Sequence, residues 1–349
     1  MANRLHNRQN RKELKEKYAR DNDPRIVLSF YRYVHIEEPV LFRNQLYESL
    51  DQLGVKGRIY IAHEGINGQI SISRNQSDLL KSVLDAMSPL QGIRLNTAVE
   101  HLSKSFFALI IKVRQKIVAD GIDDPQFDVT RSGTHLNAKE FNQLAQDPQT
   151  VIVDMRNHYE SEVGHFKQAI LPEVVTFRES LPLVRDQLMD KKDQPIIMYC
   201  TGGIRCEKAS AYLLHHGFQE VYQLDGGIIK YAHDVIDQGL PNLFVGKNFV
   251  FDERLGERIS QDVIAVCHQC GAPCDEHTNC ANDACHILFI QCPACAEKYK
   301  ACCSQKCADF IQLDPEEQKI KRKTEQFNGS KFSKGRYKAH HRNEMEPLR

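Results

Sequence analysis

The spacing of apolar positions divides this chain into three stretches. Between residues 25 and 115 short β-rich runs alternate with helical ones. Residues 26–36 are dense in β-branched and aromatic side chains and read as a strand. From Pro39 the apolar residues Val40, Leu41, Leu46, Leu50 and Leu53 fall at helical spacing, with the proline in the first turn. Residues 57–62 and 69–73 read as strands around the segment HEGING, whose Asn67-Gly68 is a turn signal. A second helix is predicted over 75–87 and a fourth strand over 106–113. The order β-α-β-β-α-β predicts a small α+β ferredoxin-like sandwich over 25–118.

Between 130 and 242 the pattern changes. Three short, fully apolar strands are predicted: 151–153, ending at Asp154; 195–199, ending at Cys200; and 221–224, ending at Asp225. Helical segments at 138–146, 177–189, 207–216 and 227–237 alternate with them. This predicts an α/β unit whose parallel sheet is covered on both faces. Ligands bind such sheets at the carboxyl ends of the strands, where Asp154, Cys200 and Asp225 stand. The third stretch, 262–312, has little apolar periodicity but holds ten of the twelve cysteines.

Charge adds one feature. The net charge is zero, yet residues 1–20 carry seven Lys and Arg against two Glu, and residues 316–349 carry ten against five acids. A basic extension (1–24) and a basic tail (313–349) thus flank an acidic body, and suit contact with a polyanion, most simply nucleic acid. The tail interleaves Phe327, Phe332 and Tyr337 with its cations, as base stacking would use. No apolar run approaches the roughly 18 residues of a membrane span, and residues 1–20 lack the apolar core of a secretory signal. The expected compartment is cytoplasmic, where cysteines serve as thiols, metal ligands or nucleophiles.

The segment YCTGGIRCEKAS carries the chemistry. A strand delivers Cys200 to the top of the sheet. Gly202 and Gly203 let Thr201–Ile204 curl, so that backbone N–H groups point at one spot in front of a helix. Such a nest favours an anion, here the Cys200 thiolate or a group on its sulfur; a thiol at a helix N-terminus falls from about 8.5 to about 3.5–7.5. Arg205 adds a permanent cation. The ring from Cys200 to Arg205 is six residues, tighter than a phosphatase loop and better sized for one sulfur atom than for a phosphate. Cys206 is either a resolving thiol or a helix residue packed on the sheet. Asp154 and Arg156 either pair with each other or border the pocket.

This loop resembles that of the rhodanese family, as do Asp154-Met155-Arg156, Tyr159-Glu160, Gly164-His165-Phe166 with Ala169-Ile170, and Leu224-Asp225-Gly226-Gly227-Ile228. Gln168, Leu171 and Tyr231 depart from the usual pattern at packing or turn positions. Taken with EGING, FVFDER and CHQCG, the segment CTGGIRCEKA more narrowly resembles the bacterial tRNA uridine-34 hydroxylase family, over roughly residues 25–312. His63 and Gln69 stand where that family more usually has Ala and Thr. The resemblance implies a rhodanese-like domain (130–242) between a ferredoxin-like module and a Cys-rich module, and oxidation of uridine-34 to 5-hydroxyuridine with O2 as co-substrate. Cys200 would carry the chemistry as thiolate or persulfide, tRNA would be gripped by its anticodon arm, and the electron donor is left open. The alternatives are a persulfide-carrying sulfurtransferase and an RNA-binding module in which Cys200 is a redox sensor.

The cysteine-rich module (262–312) contains two Cys-x-x-Cys pairs, Cys267/Cys270 and Cys292/Cys295, about 20 residues apart. Each pair offers two soft ligands from one turn, so the four suit one structural zinc ion. Cys280, Cys285, Cys303 and Cys307 would hold a second, with Cys302 and Cys303 not separable by spacing. An iron–sulfur cluster and free thiols are the rivals.

Overall fold

The computed structural model of the chain describes residues 23–100 and 105–329, with Glu13, Leu14, Glu16 and Arg20 before them. Most of the basic N-terminal extension, and the tail from 330 on with Phe332 and Tyr337, lie outside the described residues. Phe327 is described, and its ring packs on Phe310 at 4.9 Å. Among the described residues no helix is long and apolar enough to cross a membrane.

The first unit comprises β1 (Arg25–Tyr33), α1 (Pro39–Gln52), β2 (Lys56–Ala62), β3 (Gly65–Ser73), α2 (Ser77–Asp85), β4 (Asn96–Thr97) and β5 (Leu109–Val113). The sheet order is β4-β1-β3-β2-β5. Two expectations are corrected here. The fourth strand of the β-α-β-β-α-β unit is the two-residue β4 beside β1; residues 109–113 form a fifth strand on the opposite edge, parallel to β2. Asn67-Gly68 is not the turn. The hairpin turns at His63-Glu64, and Asn67 and Gly68 lie inside β3, paired with Tyr31 and Phe30. Gly68 is there for space, because a Cβ would sit 2.5 Å from the Phe30 ring. One sheet face buries Leu28, Phe30, Ile59, Ile61, Ile66 and Ile70 against the two helices. The alternate residues form the other face, which meets the second unit.

That unit contains β6 (Thr134–Leu136), α3 (Ala138–Leu144), β7 (Val151–Asp154), α4 (His158–Ser161), β8 (Gly164–Phe166), α5 (Phe177–Gln187), β9 (Ile196–Tyr199), α6 (Ile204–His215), β10 (Val221–Leu224) and α7 (Gly227–Asp237). The order β6-β10-β9-β7 is parallel throughout. Ile196, Met198 and Cys200 face one core with α5 and α6, while Ile197 and Tyr199 face the other with Phe141 and Tyr231. This two-residue alternation fixes which side of the sheet receives the Cys200 sulfur. β11 (Phe244–Asn248) and β12 (Glu257–Arg258) extend β8 into a small antiparallel sheet. The last module is the hairpin of β13 (His277–Asn279) and β14 (Leu288–Ile290), with α8 (Pro293–Lys298), α9 (Gln305–Phe310) and α10 (Pro315–Lys321).

Candidate active site

Cys200 follows the last residue of β9 and has no exposed surface of its own. The loop behind it is shaped by glycines. Gly203 caps α6 with φ 99°, a left-handed conformation that other residues rarely hold. Gly227, at φ 65°, is packed so closely that a Cβ would lie 2.5 Å from the Cys200 carbonyl oxygen and 2.7 Å from that of Thr201. This closeness lets the first turn of α7 grip the loop from outside: the Ile228 N–H donates to the Cys200 carbonyl at 3.0 Å, and the Ile229 N–H to the Thr201 carbonyl at 3.2 Å. With the carbonyls held outward, the N–H groups turn inward. The Gly203 N–H donates to Cys200 Sγ at 3.1 Å.

Burial alone would raise the Cys200 thiol. The Cys206 S–H, the Arg205 guanidinium and the backbone N–H groups of Arg205 and Gly202 outweigh it, and the pKa falls from 9.0 to about 5. Cys206 moves the other way: burial and the neighbouring Cys200 sulfur hold it well above 9.0, so it stays protonated. Cys206 belongs to the core cluster that includes Cys200 and Met198.

Arg205 does not reach freely into solvent. Its two terminal nitrogens meet both oxygens of Glu160 at 2.7 and 2.8 Å, and one also donates to Thr201 Oγ1 at 3.3 Å. Glu160 is fully buried, and its carboxylate also accepts from the Asn157 N–H that begins α4. The sequence reading did not single it out as the partner of Arg205. Its trace is the Asn-x-x-Glu spacing of a capping box on a helix too short to need one for its own sake.

Of the two readings of Asp154 and Arg156 the structure bears out the ion pair and corrects the pocket assignment: both side chains are completely buried and pair with each other. Tyr199 donates to Asp154 at 2.8 Å, and Arg156 donates to the Gly164 carbonyl at 2.6 Å. The pair joins β7, β9 and β8 beneath the site. Asp225 binds Arg94 of the first unit through both of its oxygens, at 2.5 and 2.9 Å.

The outer face of the N-terminal sheet closes over the loop. Tyr31 donates to Glu207 at 2.9 Å and Tyr33 to the Ile204 carbonyl at 3.2 Å. Lys208, buried at the interface, bonds Glu64 at 2.8 Å and also Asp120. Between the two units lies a pocket of about 300 Å³, within the range of small-molecule sites. Cys200, Gly202, Ile204 and Arg205 line one wall; Ser29, Tyr31, Arg58, Tyr60, Asn67 and Gln69 line the other.

In the last module the thiols of Cys267, Cys270, Cys292 and Cys295 lie within 4.8 Å of one another, as do those of Cys280, Cys285, Cys303 and Cys307. Cys303 rather than Cys302 joins the second set. Sulfur–sulfur separations of 3.6, 3.7 and 3.8 Å occur within the sets. A tetrahedron of Zn–S bonds near 2.3 Å has edges of ~3.8 Å. Backbone N–H groups also reach the sulfurs: Cys292 to Cys267 at 3.3 Å and Cys303 to Cys280 at 3.4 Å. Donor type, number and spacing therefore fit zinc in both sets.

Comparison with known proteins matches these three parts in order. Residues 25–117 match the UPF0176 acylphosphatase like domain, residues 137–234 the rhodanese-like domain, and residues 245–308 the rhodanase C-terminal family. A solved rhodanese-like domain protein from Staphylococcus aureus is 24% identical, covering 28% of this chain and 90% of its own, with a TM-score of 0.24. Similarity to curated proteins spans nearly the whole chain. A tRNA uridine(34) hydroxylase of Pectobacterium carotovorum is 57% identical over 94% of this chain and 92% of its own. That of Photorhabdus laumondii is 54% identical over 96% and 95%, and that of Yersinia pestis 56% over 91% and 90%. These relatives bear the name of a hydroxylase rather than of a sulfurtransferase, and with such identity along all three parts the chain belongs to the tRNA uridine(34) hydroxylase family.

Proposed function

We propose that this protein hydroxylates C5 of uridine-34 in tRNA, giving 5-hydroxyuridine, with O2 as co-substrate and Cys200 as the reacting group. One observation carries the reading. The Cys200 sulfur, which accepts the Gly203 N–H beside Arg205 and Cys206, is buried directly behind the wall of a pocket roofed by polar and aromatic side chains of a second domain, and these neighbours lower its pKa against the effect of burial. A base from a single-stranded loop can be unstacked and read by its edges in such a pocket, which suits the anticodon arm.

Inserting one oxygen atom at C5 and releasing the other as water consumes two electrons and two protons. The Cys200/Cys206 pair holds that number once, so an external reductant must restore it after each turnover. Arg205 gives one N–H from each terminal nitrogen to Glu160 and acts on the Cys200 sulfur through its charge.

The two cysteine sets would each hold a zinc ion with a structural role. The module is too short to fold on apolar burial alone, and metal binding would contribute folding free energy.

The test is nucleoside mass spectrometry of tRNA from cells that contain the protein, lack it, or carry Cys200→Ser. 5-Hydroxyuridine at position 34 should be present only with the intact cysteine, while tRNA binding by the variant is retained. Unchanged 5-hydroxyuridine with Cys200→Ser would refute the assignment.

A further inference from the structure

The sheet face that roofs the pocket continues beyond it. Register places Ser29, Gln69, Arg58 and Ile110 in one row across β1, β3, β2 and β5, and Tyr31, Asn67, Tyr60 and Lys112 in the next. The β1 end of each row is covered by the Cys200 loop. The β5 end is open: Ile110, Lys112 and Arg114 are exposed, and 110, 112 and 114 share one face by alternation. Three strand spacings, ~14 Å, separate Tyr31 from Lys112. Arg58 and Tyr60 belong to both parts, lining the pocket and bordering the open ledge. The Arg114 guanidinium rests over the Tyr60 ring at 5.7 Å. Among the described residues none of the Arg58, Lys112 and Arg114 side chains pairs with a carboxylate, whereas Arg94, Lys116 and Lys208 nearby all do.

Three cations without a carboxylate partner thus surround one aromatic ring at the mouth of the pocket beside Cys200. Among the described residues the buried cations Arg156, Arg205 and Lys208 are paired with carboxylates; these three are not. Their charge complements a phosphate backbone, and an aromatic ring with a guanidinium plane is how single-stranded bases are stacked without regard to sequence.

We infer that this ledge is the landing site for the single-stranded nucleotides that flank the target base. Tyr60 and the Arg114 plane stack a neighbouring base, Arg58, Lys112 and Arg114 meet phosphates, and the strand turns at Arg58 to deliver the target base to Cys200. The inference rests on the tRNA-modifying reading above. It goes further by naming residues that set affinity without taking part in the oxygen chemistry.

The test uses full-length protein and an anticodon stem–loop RNA with uridine at position 34, titrated by fluorescence anisotropy at several salt concentrations. Replacing both exposed cations (Lys112→Ala with Arg114→Ala) should weaken binding at least about tenfold. It should also make the log–log salt slope shallower by about 1.4, the value for two phosphate contacts on a single strand. Tyr60→Leu should weaken binding about 5- to 150-fold, with thermal melting confirming that it folds. Lys112→Arg should bind as the wild type does. At saturating RNA the double variant should hydroxylate at the wild-type rate, so the loss appears in KM and not in kcat. Unchanged affinity and slope in the double variant, while the wild type hydroxylates uridine-34, would overturn the ledge and leave the functional reading standing. The same holds if the double substitution alters self-association in place of RNA affinity. A wild type that binds the stem–loop but leaves uridine-34 unmodified, or does not bind it, would remove the functional reading and the ledge together.

Discussion

Replacing Cys206 by Ala should make Cys200 a weaker acid. Cys206 keeps its proton, and its neighbouring thiol is the largest of the influences that lower the Cys200 pKa against the effect of burial. A hydrogen bond to a charged group contributes about 1.5–3 kcal/mol. At 1.36 kcal/mol per pKa unit, losing it moves the Cys200 midpoint up by about one to two pH units, from about 5 to between about 6 and 7. In the wild type about 99% of Cys200 is then ionised at neutral pH, and in the variant a smaller share, about half at the upper end. Cys206→Ser restores an O–H donor and should bring the midpoint back toward the wild-type value. The assay is thiolate absorbance in the far ultraviolet across the acid range, with the Cys200→Ser titration subtracted to remove the other cysteines. The same shift has a consequence for stability. The Cys200 pKa is depressed on folding, so its stabilisation is complete above 9.0 and is lost as pH falls toward about 5. Cys200→Ser should therefore flatten the pH dependence of melting within that window. A Cys200 midpoint that stays near 5 in Cys206→Ala, or that lies near 9 in the wild type, would refute the picture of a hydrogen-bonded thiolate.

Further substitutions test other parts. Gly227→Ala should abolish 5-hydroxyuridine formation and lower the melting temperature, because its Cβ would strike the Cys200 carbonyl; Gly239→Ala, at a similar φ of 63° but with open space around it, should cost only about 1–2 kcal/mol and leave activity intact. Equal effects of the two would show that the close approach is immaterial. Lys208→Met leaves Asp120 with Lys116 alone and Glu64 with no lysine, and should destabilise the protein by about 1–3 kcal/mol in denaturant titration; no measurable loss would contradict a role for this ion pair in joining the domains. Elemental analysis should find two zinc ions per chain, and Cys285→Ser should lose one of them and lower the melting temperature; iron, or no metal, would contradict the assignment.

Much of this architecture was legible in local pattern. The short apolar strands ending at Asp154, Cys200 and Asp225 are strands β7, β9 and β10, because a strand buried on both faces leaves an unbroken apolar run. The Cys200 loop was readable because Gly-Gly at that point has few uses other than a tight curl. What local pattern missed depends on contacts distant in sequence. β4 is two residues long and exists because it pairs with β1, which no period can announce. Asn67-Gly68 resembles a turn only until Phe30 is known to lie over the glycine. Glu160 meets Arg205 across 45 positions of sequence, and Asp154 and Arg156 find each other in the interior instead of bordering the pocket. The roof of the pocket was hidden most thoroughly. Ser29, Tyr31, Arg58, Tyr60, Asn67 and Gln69 alternate with core residues and look like an ordinary solvated sheet face. Only the docking of the two units turns that face toward the sulfur.

The decisive measurement is oxygen-isotope labelling of the product formed by purified protein on unmodified tRNA, under isotopically heavy O2 in ordinary water. Wild-type protein should place one heavy atom at C5 of uridine-34, and Cys200→Ser should place none while still binding the tRNA. Heavy oxygen at that carbon with the cysteine absent, or a product whose oxygen comes from water, would contradict a sulfur-centred, O2-dependent hydroxylation.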